Sequence, residues 1–381
     1  QKSAFILFKE AAERGLPIAQ YHYARILEMG GAEEEAIVYY KKAVDAGIVK
    51  AMFRYGRIHE ISTSIKKSYR TSLYYYKLAA KKGYAKAQNN CGRLYELGLG
   101  VSKPNKELAV SLYKKAADQG NVIALHNYAR ALEKGIGIQK DEAKSASIYK
   151  KLADDDPDDG LAQYNYARMC HNGIGLAENL EEAGKYYLLA IDNNIAEAKQ
   201  NYGVMLFNKF HKWNEAAKFF EMAVSGNGGQ PSAKYNYAQL LKRGMGLNED
   251  KKKAESLLHD AAEELFLPAI VAYAELLKNK GEEEETENEY NEEEEEEESE
   301  SGNKDPNEMG DIDRLLSFNM NKKCPNSNLE KAAYYKKAAE MEISDRKFLV
   351  PQRNAQFDLA MMYKNGKGVA KDNELFIKYL T

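Results

Sequence analysis

The sequence predicts an all-α solenoid of about nine stacked helix pairs, interrupted once by an acidic, disordered insertion. Three observations carry this expectation. The apolar residues of 107–119 (Leu108, Ala109, Leu112, Tyr113, Ala116, Ala117) follow at steps of one and three, the stripe of a helix and not the alternation of a strand. A large side chain, in most copies ahead of an Ala, recurs as Phe8, Tyr40, Tyr76, Tyr113, Tyr149, Tyr187, Phe220, Leu258 and Tyr335, at spacings of 32 to 38 apart from a last one of 77. A second anchor, followed by Gly or Ala, keeps the same period: Tyr23, Tyr55, Cys91, Tyr128, Tyr166, Tyr202, Tyr237, Tyr273 and Leu359. Two short amphipathic helices cannot bury both faces alone, so each pair needs a neighbour.

One unit shows the logic in order. Gly120 ends the first helix, because glycine tolerates the left-handed backbone that closes a helix. Asn121 can cap the second helix, whose stripe is Ile123, Ala124, Tyr128, Ala131 and Leu132. Gly135 ends that helix, Gly135 to Ile138 form a tight loop, and Asp141 caps the helix after it. Glycine pairs recur as Gly98/Gly100, Gly173/Gly175, Gly244/Gly246 and Gly366/Gly368. Repeats one, two, six and eight lack the pair, so their loops are expected to differ. Small alanines on both stripes let helix axes approach to roughly 8–10 Å.

The pattern A-x-x-Y-K-K-A-A-x-x-G-x-x-x-A-x-x-x-Y-A, closed by G-x-G-[IV], resembles the Sel-1-like repeat, a relative of the tetratricopeptide repeat. The resemblance covers nearly everything outside residues 281–328. It implies a right-handed α-α superhelix that serves as a non-enzymatic scaffold or adaptor, without cofactor, docking a protein or peptide on its concave face. The expected organisation is repeats one to eight over 1–280, the insertion over 281–328, and repeat nine with the start of a tenth over 329–381. The chain opens at Gln1 without a capping repeat and stops inside a unit, so it reads as a piece of a longer protein.

The insertion contains Glu282 to Glu300, with fourteen glutamates and no Lys or Arg. Like charges at that density repel, and no apolar stripe is present to pack. Residues 312–318 are the stretch of the insertion able to form a short helix. The formal charge of −3 therefore hides a segregation: setting those glutamates aside leaves +11 on the rest. Part of that charge is periodic. The residue after the first-helix anchor is Lys41, Lys77, Lys114 and Lys150 in repeats two to five, and Leu188, Glu221 and His259 in the next three. First helices of related solenoids line the concave surface, so by resemblance these lysines form a candidate row for an acidic partner. A solvated helix face is the plainer explanation. The 282–300 tract is an intramolecular candidate for the same row.

Other chemistry finds little footing. The six histidines are scattered, no H-E-x-x-H or C-x-x-C spacing occurs, and the glycine loops follow no strand, so metal and phosphate sites are not expected. Cys91, Cys170 and Cys324 have no pairing pattern, no Asn-x-Ser/Thr sequon occurs, and no apolar run approaches 18 residues. These point to a reducing, cytoplasmic setting away from membranes. Tyr is abundant, at 27 residues, but recurs at packing positions, and the acidic tract counts against nucleic acid. Trp213 reads as a packing residue near a loop. A recurring Asn before the second anchor (Asn90, Asn127, Asn165, Asn201, Asn236) suits hydrogen bonding from repeat to repeat. The leading expectation is an interaction scaffold. The alternatives are the regulatory part of a larger kinase or ubiquitin ligase, and a lumenal quality-control adaptor of the endoplasmic reticulum.

Overall fold

The computed structural model describes residues 2–225 and 229–277, together with Ala333, Lys336 and Leu359. Repeat nine, the start of a tenth and the acidic tract lie outside these residues apart from those three positions. All regular structure among the described residues is helical. The order is α1 Lys2–Glu13, α2 Pro17–Met29, α3 Glu33–Asp45, α4 Val49–Ile61, α5 Tyr69–Lys81, α6 Ala85–Leu97, α7 Lys106–Ala117 and α8 Val122–Lys134. It continues with α9 Glu142–Asp155, α10 Gly160–Asn172, α11 Leu180–Asp192, α12 Ala196–Asn208, α13 Trp213–Val224, α14 Pro231–Arg243 and α15 Lys251–Glu263. A further helix, α16, is described over 267–277, and Ala333, Lys336 and Leu359 are helical too. Odd-numbered helices are the first of each sequence pair, and even-numbered helices the second. The chain divides into two compact units, Gln1–Ala198 and Lys199–Thr381.

The local signals act as the sequence suggests. Asn121 Oδ1 accepts from the Ala124 amide and Asp141 Oδ1 from the Lys144 amide, each at 2.9 Å. Ser68, Asn105, Asp159, Asn179 and Asp250 cap their helices in the same way. Each such cap is worth about 1 kcal/mol over alanine. The paired glycines have separate tasks. The first, Gly135 at φ +67°, is the left-handed close of α8. The second, Gly137, lies so near the start of α7 that a Cβ would meet the Lys106 carbonyl carbon at 2.3 Å. Gly100, Gly175 and Gly246 press in the same way on Tyr69, Glu142 and Trp213, each at the start of the preceding odd helix. Where the pair is missing, the connection differs: the α12–α13 turn places His211 at φ +55°.

In the first unit the anchors form the core. Tyr40, Tyr76, Tyr113, Tyr149 and Tyr187 are all buried. Tyr76 and Tyr113 rest on a glycine of the even helix before them, Gly56 and Gly92. At Gly92 a Cβ would come within 2.7 Å of the Tyr113 ring, so these helices cross at glycine contact. In the second unit Phe220 and Leu258 take the anchor positions, and the core gathers α12 to α16. Leu277 of α16 and Leu359, the second-helix anchor of repeat nine, belong to that one core. The chain therefore returns to the same unit after the 278–332 interval.

Candidate functional site

The even helices of the first unit carry a ladder that was not anticipated. Glu28 on α2 accepts from the Tyr40 hydroxyl on α3 at 2.5 Å and from Arg54 on α4 at 3.3 Å. Glu60 on α4 accepts from Tyr76 on α5 at 2.7 Å and pairs with Arg93 on α6. Glu96 on α6 accepts from Tyr113 at 2.7 Å, and one Arg130 amine on α8 lies 2.8 Å from both its oxygens. Glu133 on α8 is held by Arg168 on α10 at 2.7 and 2.8 Å. The four carboxylates are 5 to 16 % exposed, so burial and pairing go together. Burial, then the hydrogen bond to Glu96, raises the Tyr113 hydroxyl far above its ordinary range. At α10 the glutamate position becomes His171, which meets Tyr187 at 3.3 Å. The sequence held the signal: Glu stands five residues, and Arg in later copies two residues, after the second-helix anchor. The ladder joins repeats and leaves no free charge for a ligand.

The asparagine row behaves unevenly. Asn127 Nδ2 donates to Asn89 on the preceding even helix at 2.9 Å, a repeat-to-repeat bond. Asn165 bonds back to the Leu161 carbonyl of its own helix at 2.8 Å. His126 reaches the capping Asp159 at 2.7 Å and ties α8 to the head of α10.

The four predicted lysines also separate into two kinds. Lys41 pairs with Asp45 on its own helix. Lys150 lies 3.3 Å from Asp154, from Glu182 and from the Tyr186 hydroxyl, with its ammonium 5.1 Å above the Tyr166 ring. Partial burial opposes its charge, yet the bonds to Tyr186, Asp154 and Glu182 prevail and its pKa is raised. Lys77 and Lys114 have no ion-pair partner among the described residues, and both are exposed. Lys77 and the neighbour of Lys114, Lys115, stand on the rim of an open cleft of about 610 Å³ between α5, α6 and α7. Its apolar lining is Tyr74, Leu78, Tyr95, Leu108 and Leu112. Tyr74 is 58 % exposed and Leu108 37 %, large apolar groups left to water. From Ser62 to Ala117, twelve Lys and Arg face two carboxylates, and one of those, Glu96, is occupied by the ladder. Cys91 at the floor has its thiol pushed up to about 12 by burial, so it is no nucleophile.

A second, smaller cleft of about 280 Å³ belongs to the second unit. Val204, Phe207, Phe220, Tyr235, Leu240 and Met245 make its apolar walls. Asn208, Asn236, Gln239 and Arg243 complete the lining. The ladder is absent here, with Phe207 at the glutamate position and Gln239 at the arginine position. Among the described residues no cluster of His, Cys, Asp and Glu could hold a metal, and no helix is long and apolar enough to cross a membrane.

Comparison with known proteins accounts for this architecture. The Sel1 repeat model matches residues 1–16, 17–48, 49–84, 85–121, 122–157, 160–195, 231–264 and 353–380. It frames each unit from an even helix to the following odd one. Lys41, Lys77, Lys114 and Lys150 thus stand on the closing helix of a family unit. Residues 196–230, containing α12 and α13, are unmatched. No curated protein matches the chain. Among solved structures, c5321, a protective antigen of uropathogenic Escherichia coli with an SLR fold, superposes with a TM-score of 0.67 at 22 % identity, over 98 % of this chain and 69 % of that one. A Sel1 repeat protein from Oxalobacter formigenes gives 0.54 at 24 %, over 68 % and 76 % of the respective chains. These likenesses show the fold, and the repeat matches span more than half of the sequence: the chain belongs to the Sel1 repeat family.

Proposed function

We propose that this chain is a non-enzymatic docking scaffold whose preferred stretch is the cationic cleft of α5, α6 and α7, and that its partner is an acidic protein segment carrying large apolar side chains. One observation supports this most: Lys77 and Lys115 line the cleft with exposed Tyr74 and Leu108, and neither they nor Lys114 has an ion-pair partner among the described residues, while Lys41 and Lys150 in the same row are neutralised within the fold. Uncompensated rim charge steers an oppositely charged segment and sets its register, and apolar side chains entering the cleft supply the affinity. The acidic tract 282–300 would compete for the same charge.

The test uses a fluorescent peptide of residues 282–300 as the anionic probe, titrated against the chain lacking that tract. The expected result is binding that weakens steeply with salt and falls at least tenfold in a Lys77→Glu, Lys114→Glu, Lys115→Glu variant. Equal affinity in the two proteins would remove the cleft from the account. Catalytic turnover by the chain alone would remove the scaffold reading.

A further inference from the structure

The α12–α14 cleft differs from its first-unit counterpart, a cleft of about 380 Å³ lined by Arg130, Glu133 and Arg168, in lacking any ion pair across it among the described residues. In the first unit the equivalent space is bridged by Arg93 to Glu60, Arg130 to Glu96 and Arg168 to Glu133. In the second unit Phe207 and Gln239 take those positions, so no such pair spans the groove. Asn208, Asn236 and Gln239 have no hydrogen-bond partner among the described residues, and Arg243 has no ion-pair partner there. Three amides around an apolar floor offer donors and acceptors to a peptide backbone, and Arg243 with its neighbour Lys242 offers charge to a carboxylate. The unmatched interval 196–230 supplies one wall, so the departure from the family pattern and the loss of the Arg–Glu pair coincide.

The chain carries a complementary segment. Between residues 278 and 332, apolar side chains concentrate in Ile312, Leu315, Leu316, Phe318 and Met320, with Asp311 and Asp313 flanking the first of them. The rest of that interval is dominated by Glu, Asn and other polar residues. Leu277 and Leu359, on either side, sit in the core of the same unit. A tether of 33 residues, 278–310, has an r.m.s. span of roughly 30–35 Å. The groove is two helices from the end of α16, a distance on the order of 20 Å at ordinary helix spacing. A tether matched to its span raises the local concentration to about the millimolar range, enough to favour a modest intrinsic affinity.

We infer that the α12–α14 cleft is the seat of the chain's own segment Asp311–Met320, with Leu315, Leu316 or Phe318 entering the space beside Phe207 and Tyr235, and Asp311 and Asp313 meeting Arg243 and Lys242. The seat is distinct from the cationic cleft of the first unit, and neither site depends on the other.

Amide hydrogen exchange on the full chain tests this. The 311–320 amides are expected to exchange at least tenfold more slowly than those of a free peptide of residues 308–322. Arg243→Glu, on an exposed side chain, is expected to abolish most of that protection while circular dichroism stays unchanged. Adding Asp311→Lys and Asp313→Lys to that variant is expected to restore it. Leu315→Asp with Leu316→Asp should remove the protection independently. Exchange of 311–320 at the free-peptide rate in the unaltered chain overturns the inference. So does protection that survives both Arg243→Glu and the Leu315/Leu316 double change. Failure of the lysine variants at the first-unit cleft would leave these results untouched, so the two proposals fall separately.

Discussion

Glutamate 96 is the best place to ask whether the ladder holds neighbouring repeats together. Its carboxylate is 14 % exposed and serves Tyr113 from α7 and Arg130 from α8. Glu96→Gln keeps the shape and one acceptor but removes the charge. A hydrogen bond to a charged group contributes about 1.5–3 kcal/mol. Arg130 is 36 % exposed, so its share is discounted towards the value for surface pairs, about 1 kcal/mol. Tyr113 is buried and keeps a weaker, neutral bond, so its share falls by about 1 kcal/mol. The expected cost is therefore about 2 kcal/mol. Repeat proteins unfold through neighbour terms, so urea curves should be followed by circular dichroism on Glu96→Gln, Arg130→Met and the double variant. A coupling energy of about 1 kcal/mol is expected. A coupling below about 0.3 kcal/mol would mean that the pair is incidental and that Ala and Tyr packing alone joins these repeats.

Three further outcomes follow from the same structure. Burial lowers the pKa of His59 and outweighs the opposing effect of the Lys66 backbone, so folding favours the neutral ring and stability should fall as pH drops below its ordinary 6.5; His59→Gln should flatten the slope between about pH 7 and 5, and an unchanged slope would exclude His59 as its source. Leu265 is half exposed with φ +63°, a left-handed backbone that costs a non-glycine residue about 1–2 kcal/mol; against a glycine entropy cost of about 0.5–1 kcal/mol, Leu265→Gly should raise stability by about 0.5–1 kcal/mol, visible as a higher urea midpoint. Burial raises the thiols of Cys91 and Cys170, so in a Cys324→Ser background an aromatic disulfide reagent should label neither until the chain is unfolded; prompt native labelling would contradict their burial.

Period, helix ends and caps were legible because each depends on a few consecutive residues. Gly120, Asn121, Gly135 and Asp141 act as their types require. What needed coordinates was anything joining residues a repeat apart. The second glycine of each loop is required by a backbone some 30 residues earlier, which spacing alone does not reveal. The lysine row could be read, but not that Asp45, Asp154 and Glu182 would occupy two of its members. The ladder was hidden differently: its Glu and Arg recur visibly, yet on an amphipathic helix they pass for solvated charge. Trp213, expected to pack, opens α13 at 42 % exposure, and the Gly246 loop rests on its backbone.

That backbone contact has a consequence for how such a chain can change. Gly100, Gly137, Gly175 and Gly246 fix each unit against the one before by main chain against main chain. The pitch of the stack is then indifferent to which side chains its outer faces carry. Charge can collect on one stretch, as between Ser62 and Ala117, or a ladder can lapse, as after Glu133, without the units losing step. Specificity can drift along the surface while the glycines keep time beneath it.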